Sequence, residues 1–353
     1  MNSGASLLGQ GFYGIFVRGE RVFTLSADEE TEHVICLEAA TGEEVWRTPT
    51  GGRFVERRGD GPRSMPTLDG RNLYVVSAEG TLFALNVSTG GVAWSRSFVG
   101  EFGSKLPAWG YACSPLVVGD RLFVEVGGDE ARSVACFDKH SGETIWSSHT
   151  DGLSYSSPIA VMIHGQPQIV FITKTHVIGT SPENGKVLWS YDWPKGINIA
   201  TPLLVGEDRI FVSAAYDKGS VMIRLTPGAE AISATEDWAS RGMKNHFNSS
   251  ILHEGFLYGF DNSILKCLVA DTGEERWRTR GYAKGSLIFA DGHLIVLGEE
   301  GLLATVKANS QSHQEVARAQ VLEGRCWTPP TLANGRVYVR NFEEIVCLDL
   351  GDK

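Results

Sequence analysis

The chain has 353 residues, of which 42% are hydrophobic and 21% charged, enough apolar side chain for a sizeable core and too much for wholesale disorder. Its 32 basic and 42 acidic side chains leave a net charge of −10, which excludes the basic footprint that nucleic-acid binding needs. No apolar stretch approaches the length of a membrane helix, and the first six residues show neither a basic n-region nor an apolar h-region, so the chain reads as soluble and without a signal peptide.

From the N-terminus onward the chain repeats itself. A first unit over 11–50 starts a strand at Gly14-Ile15 and ends on Thr41-Gly42 and Trp46. The second, 63–98, opens at Met65-Pro66 and ends on Thr89-Gly90 and Trp94. The third, 112–150, opens at Ser114-Pro115 and ends on Ser141-Gly142 and Trp146. The fourth, 155–193, runs from Ser157-Pro158 to Asn184-Gly185 and Trp189. The fifth, 199–240, opens at Thr201-Pro202 but carries Pro227-Gly228 at the turn, with Trp238 displaced. The sixth, 247–281, opens at Ser249-Ser250 and ends on Thr272-Gly273 and Trp277. The seventh, 284–321, opens at Ser286-Leu287 and has Asn309-Ser310-Gln311 in place of the turn. The eighth, 327–353, opens at Pro329-Pro330 and stops after Cys347-Leu348-Asp349-Leu350.

The Gly-to-Trp interval is the same in the five clear copies, and the spacing of roughly 45 residues is that of a four-stranded propeller blade. Within each unit, period-two alternation and Gly/Asp turns predict strands a to d, with the Trp on strand d. A lone blade cannot bury both faces, so the blades must stack and close into a ring. The expected fold is therefore all-β, a single eight-bladed β-propeller. The last blade should borrow its outer strand from the N-terminus, near Ser6 to Gln10. That segment is short and has no Trp, which predicts a three-stranded or weakly closed eighth blade.

The Thr-Gly-x-x-x-Trp phrase behind an upstream strand resembles the repeat of pyrroloquinoline-quinone-type (PQQ-like) β-propellers, a family that includes quinoprotein alcohol dehydrogenases and the outer-membrane assembly lipoprotein BamB. Gly59-Asp60-Gly61-Pro62-Arg63-Ser64, Trp109-Gly110-Tyr111, Asn245-His246 and Gly285-Ser286-Leu287 are similar to BamB-like propellers of environmental bacteria. The resemblance implies a propeller, and a periplasmic or envelope location. Its dehydrogenase branch implies PQQ with a calcium ion held by Glu and Asn, a catalytic Asp and often an adjacent Cys-Cys pair. No such pair occurs here, and the chain lacks long inserts, so no cofactor is expected.

Three d–a connections are enlarged: Thr50 to Arg63, Phe98 to Ala112 and Ser240 to Phe247. All lie on one face, the face on which repeat proteins usually bind. The residues just before each strand a should ring the channel mouth: Arg63, Tyr111, Tyr155, Asn198, His246, Lys284 and Trp327, with Asp60 nearby. Cations, aromatics and amides converging there suit an anionic or sugar-like ligand, although polar groups at a wet mouth also simply solvate it. Asp60 and His246 have the right type for general acid/base work, without a partner spacing to single them out. If the mouth holds no ligand, the insert loops around Val55 and Phe102 offer apolar anchors for a protein partner.

Cys36, Cys136 and Cys267 lie six residues before the turn Gly, where Ala84 and Gly179 stand in other units, so the position calls for a small packed residue. The six cysteines and nine histidines show no CxxC, HxH or HExxH grouping, so no metal site is expected. Trp109, Trp193 and Trp327 fall outside the repeat and should be more exposed than the repeat Trp residues. The first functional expectation is a monomeric, non-catalytic binding or scaffold propeller that takes a protein or a small ligand on its insert-bearing face. The second is an enzyme at the channel mouth, quinoprotein-like or sugar-active.

Overall fold

The computed structural model describes residues 3–7, 14–194, 196–229 and 231–350. Among these lie eight four-stranded antiparallel sheets and one short helix, Phe98–Phe102. Blade 1 consists of Phe16–Arg18, Arg21–Ala27, Thr31–Glu38 and Glu44–Gly52, in that order across its sheet. Six further blades repeat the pattern. Blade 8 takes strands a to c from Thr331–Ala333, Arg336–Arg340 and Glu344–Asp349, and its fourth strand is Ser3–Leu7. The eight blades close into a ring, a β-propeller.

Closure is more regular than the sequence suggests. Ser3–Leu7 pairs antiparallel with strand c from Ser3↔Leu348 to Leu7↔Glu344, so blade 8 is four-stranded rather than three-stranded. The closing strand begins three residues before the expected Ser6–Gln10 segment, and residues 8–10 of that segment lie outside the described residues.

Strands b and c are sandwiched between neighbouring blades, so they bury both faces. The core is consequently a series of inter-blade layers. In one of them, Tyr74, Val76 and Leu82 of blade 2 pack with Leu122, Val124 and Phe137 of blade 3, all fully buried.

In blades 1, 2, 3, 5 and 6 the outer-strand Trp joins the blade to the next. In blade 3 (d strand Thr144–Ser148), a β-bulge follows Cys136↔Trp146, so two residues oppose one and the Trp is re-aimed toward blade 4. Its ring covers Gly185 in the c–d turn of blade 4, where a Cβ would stand 2.5 Å from the ring. Gly185 also has φ +72°, so the turn favours glycine twice over. The indole Nε1 donates to the Pro182 carbonyl at 3.0 Å. Trp46, Trp94, Trp238 and Trp277 likewise donate to Val87, Lys139, Ala270 and Asn309 of the following blade, at 2.8–3.1 Å. Opposite these five rings stand Cys36, Ala84, Cys136, Met222 and Cys267. All are buried, as expected of a position that must leave room for the ring.

Three Trp assignments change. Trp189 turns inward: its Nε1 donates to Gln168 Oε1 at 2.7 Å, over the space left by Gly179. Trp238 in the degenerate fifth unit makes the full inter-blade contact, over Gly273. Trp193, expected to be exposed, is buried, with its Nε1 bonded to Asn198.

Trp146→Ala should cost about 3–5 kcal/mol, the usual range for deleting a buried aromatic. Gly185→Ala should also destabilise, and by less in the Trp146→Ala background, where the clashing ring is gone. Urea unfolding of the two single variants and the double variant measures the coupling. Additive costs would mean that the ring and the turn do not support each other.

Candidate binding site at the channel mouth

The inner ends of strands a are linked from blade to blade by side-chain hydroxyls. Met65 N donates to Ser114 Oγ at 2.8 Å, Ser114 N to Ser157 Oγ at 2.9 Å and Thr201 N to Ser249 Oγ at 3.0 Å. Thr331 Oγ1 links blade 8 to blade 1 by donating to the Ile15 carbonyl at 2.8 Å. The Ser/Thr before the strand-a proline is thereby explained, because a hydroxyl can serve a backbone N–H that has no ladder partner.

Above the belt opens a cavity of about 770 Å³ lined by residues from all eight blades. Five lining residues are permanent cations: Arg57, Arg58, Arg63, Lys284 and Arg325. Among the described residues no lining residue is Asp or Glu. In a chain of net charge −10, this is a marked local reversal of sign.

Two cation–aromatic stacks hold the walls. The Arg58 guanidinium lies 4.8 Å from the Trp109 ring centroid, and Trp109 lies 5.4 Å from Tyr155. Arg325 lies 4.6 Å from Trp327, whose ring is 4.7 Å from Phe247. The insert loop after blade 1 reaches across the mouth. Arg58 Nη1 donates to the Tyr216 hydroxyl at 3.3 Å, and the Arg58 carbonyl accepts from Arg325 at 2.9 Å. His246 Nε2 sits 2.7 Å from the same Tyr216 hydroxyl, while its Nδ1 is buried without a hydrogen-bond partner. Desolvation, then Lys284 and Arg58, push the His246 imidazole down to about 4, so it is neutral at physiological pH.

Two buried acids, Glu32 and Glu125, and the half-buried Glu299 fix the loops that carry these groups. Glu299 accepts from Trp327 Nε1 at 2.8 Å and from Lys284 N at 3.3 Å. Glu125 accepts from Ser154 N and Oγ at 2.7 and 2.8 Å, one residue before Tyr155. Glu32 accepts from Ala78 N and Phe54 N.

Of the residues expected at the mouth, Arg63, Tyr155, His246, Lys284 and Trp327 line the cavity. Tyr111 does not. It is fully buried, its hydroxyl is shared with Ser104, and its ring fills the space beside Gly80. Asn198 is also buried, accepting from Trp193 and donating to the Thr173 carbonyl at 3.0 Å. In each case the next residue, Ala112 or Ile199, is the one that faces the cavity, because alternation along extended chain sends neighbours to opposite sides. Asp60 lies outside the lining; it ion-pairs with Arg53 and accepts from Glu56 N at 2.8 Å, which shapes the insert loop. Arg63 is held inside that same loop, 3.7 Å from Glu56 and 2.6 Å from the Gly59 carbonyl. Phe102, expected as a surface anchor, is buried against Phe98 and Phe137, whereas Val55 is 73% exposed. Arg57, Arg58, Tyr216, Phe247 and Arg325 were missed. Four of them sit in d–a connections, where no repeat position singles out one residue.

Fold and site together define a PQQ-like β-propeller with a cationic, aromatic channel mouth. The chain belongs to the family described as outer membrane protein assembly factor BamB, whose model matches residues 30–279. Among solved structures it is similar to BamB from Moraxella catarrhalis, at 14% identity and TM-score 0.66, covering 97% of both chains. It is similar to the computationally designed Ika8 protein, at 11% identity and TM-score 0.68, covering 96% of this chain and 100% of that one. A europium-containing methanol dehydrogenase also matches, at 13% identity and TM-score 0.67, covering 96% of this chain and 84% of that one. At these identities the likeness is one of fold. Among curated proteins none matches. No helix among the described residues is long and apolar enough to cross a membrane.

Burial pushes the Glu125 carboxyl up to about 8 and that of Glu32 up to about 7. The folded chain thus retains protons that the unfolded chain releases near 4.5. The associated stability is fully present below that pH and is lost as pH rises through about 8. Glu125→Gln cannot ionise. The stability of the wild type relative to this variant should therefore fall between pH 5 and pH 8, as read from urea midpoints. A constant difference would show that Glu125 is ionised throughout.

Proposed function

We propose that this protein is a non-catalytic binding propeller that takes an anionic, ring-bearing small molecule in the channel mouth. One observation carries the reading: five cations and stacked aromatics line a cavity without a lining carboxylate. Burying an anion there neutralises charges that otherwise repel one another, and the aromatic faces accept a planar ring. The fit of a quinone with calcium is poor. A calcium ion needs several oxygen ligands, usually including carboxylates, and the lining among the described residues holds no carboxylate. Cys113 and Cys326, the cysteines nearest the inner ends of strands a, are buried thiols whose burial disfavours the reactive thiolate.

A protein partner fits the same face by a different route. Val55, Val99 and Leu106, in the two adjacent insert loops after blades 1 and 2, are 45–73% exposed and offer apolar anchors. The family description, an outer-membrane assembly factor, supports that role and an envelope location. An enzymatic alternative rests on the neutral His246 beside the Tyr216 hydroxyl, a pair suited to proton transfer on a bound sugar or acid.

The anionic aromatic dye 8-anilinonaphthalene-1-sulfonate probes the first reading by fluorescence titration. Lys284→Ala and Arg325→Ala should each weaken its binding by roughly tenfold, as expected for loss of one charge-assisted contact. Rising salt should weaken binding to the wild type. Unfolding midpoints should stay nearly unchanged. Equal affinity across the three proteins would overturn the assignment.

A further inference from the structure

Away from the channel, one seam brings together side chains that the sequence keeps apart. His149 follows strand d of blade 3, Asp151 lies in the connection to blade 4, and His176 opens strand c of blade 4, His176–Thr180. One donor atom from each lies within 4.8 Å of the others. Among the described residues this is the one group of three or more His, Cys, Asp or Glu side chains so arranged. We propose that His149, Asp151 and His176 form a site for a divalent transition-metal ion of the Zn²⁺ class, separate from the channel mouth.

Three observations support the assignment. His149 Nε2 is buried and has no hydrogen-bond partner, although its ring stands edge-on to His176 with centroids 5.4 Å apart. A buried imidazole nitrogen without a partner costs free energy that a metal bond would recover. Second, His176 Nδ1 and Asp151 Oδ2 are 3.0 Å apart, close to the roughly 3.3 Å between neighbouring ligands of a tetrahedral ion with bonds of about 2.0–2.1 Å. Asp151 is held in place by Thr173 Oγ1 and by Thr175 N and Oγ1 at 2.7–2.9 Å, and its other oxygen accepts from Gly152 N at 2.7 Å. Third, His176 Nε2 faces Asp192 Oδ1 at 3.6 Å. A metal on Nδ1 leaves Nε2–H free to donate to that carboxylate, the arrangement that orients metal-bound histidines.

The donor set selects the ion. Two imidazoles and one carboxylate suit Zn²⁺, Co²⁺, Ni²⁺ or Cu²⁺, whereas Ca²⁺ and Mg²⁺ prefer oxygen cages. The donor atoms lie within 4.8 Å of one another, so reaching the tetrahedral spacing of roughly 3.3 Å needs a side-chain shift of at most about 1.5 Å. With three protein ligands the fourth position is left to solvent, within reach of the face that carries the insert loops.

The test uses the full chain without an affinity tag. His149 has φ +66°, so His149→Asn is the chosen variant, because Asn tolerates that conformation and supplies no imidazole. Wild type should bind one equivalent of Zn²⁺ by calorimetry, and Co²⁺ in its place should give visible d–d absorption. His149→Asn and His176→Gln should each weaken Zn²⁺ binding at least tenfold and abolish the Co²⁺ bands. Lys307→Ala, an exposed position outside both sites, should bind Zn²⁺ as wild type does, and a hundredfold excess of Ca²⁺ should not compete. The proposal fails if the wild type binds Zn²⁺ no more tightly than millimolar, or if both histidine variants keep its affinity and stoichiometry. Unchanged thermal unfolding of the metal-free variants establishes that lost binding is not lost folding.

Discussion

The ring depends on a contact between one large side chain and one absent side chain. In blades 1, 2, 3 and 5 a Trp on the outer strand covers a glycine turn on the next blade, and its N–H bonds to a carbonyl beside that turn. Everything near it is adjusted to that contact. The residue opposite the Trp is usually small, and strand d carries a bulge that turns the indole outward. The contact also explains where the repeat lapses. Blade 7 keeps the bulge but places Ala317 after it. A Trp there would have no turn to cover, because the fourth strand of blade 8 arrives from the other end of the chain. In blade 4 Trp189 bonds within its own blade instead, to Gln168 over Gly179.

A second circuit runs around the channel, and it separates structural from functional polarity. The hydroxyls of Ser114, Ser157 and Ser249 are committed to backbone N–H groups of neighbouring blades. The charge at the mouth comes from another source, the d–a connections, whose lengths ring closure does not constrain. Five cations gathered there in a chain of net charge −10 create a strong local field. That field and desolvation act together on His246, which is why an imidazole beside a tyrosine hydroxyl is held neutral.

The fold was legible in the sequence because its determinants recur at fixed spacing. The Gly-to-Trp interval reports the inter-blade contact, and the Ser/Thr-Pro phrase reports the inner belt. The site was legible only in part. Placing the mouth before each strand a located Arg63, Tyr155, His246, Lys284 and Trp327 in the lining. The same reasoning failed at Tyr111 and Asn198, where alternation buries the side chain and a one-residue offset decides the outcome. Arg58, Arg325 and Tyr216 occur in no repeat context, and their association spans the mouth rather than following the chain. His149 and His176 are 27 residues apart and meet only at a blade seam, so no local histidine pattern could signal them.

A designed protein, an assembly factor and a dehydrogenase share this ring at 11–14% identity to the present chain. Ring closure therefore sets few conditions on what the channel contains, and the fold by itself assigns no activity. The useful distinction lies among residues within one chain. The Trp residues, the turn glycines and the belt hydroxyls each have a structural reason to be where they are. Arg58, Lys284 and Arg325 have none of comparable strength. Their convergence adds mutual repulsion that packing does not require, and the ring would close as well with neutral residues there. Polar groups that cost free energy in the folded state, without serving its closure, are the ones whose placement calls for a ligand.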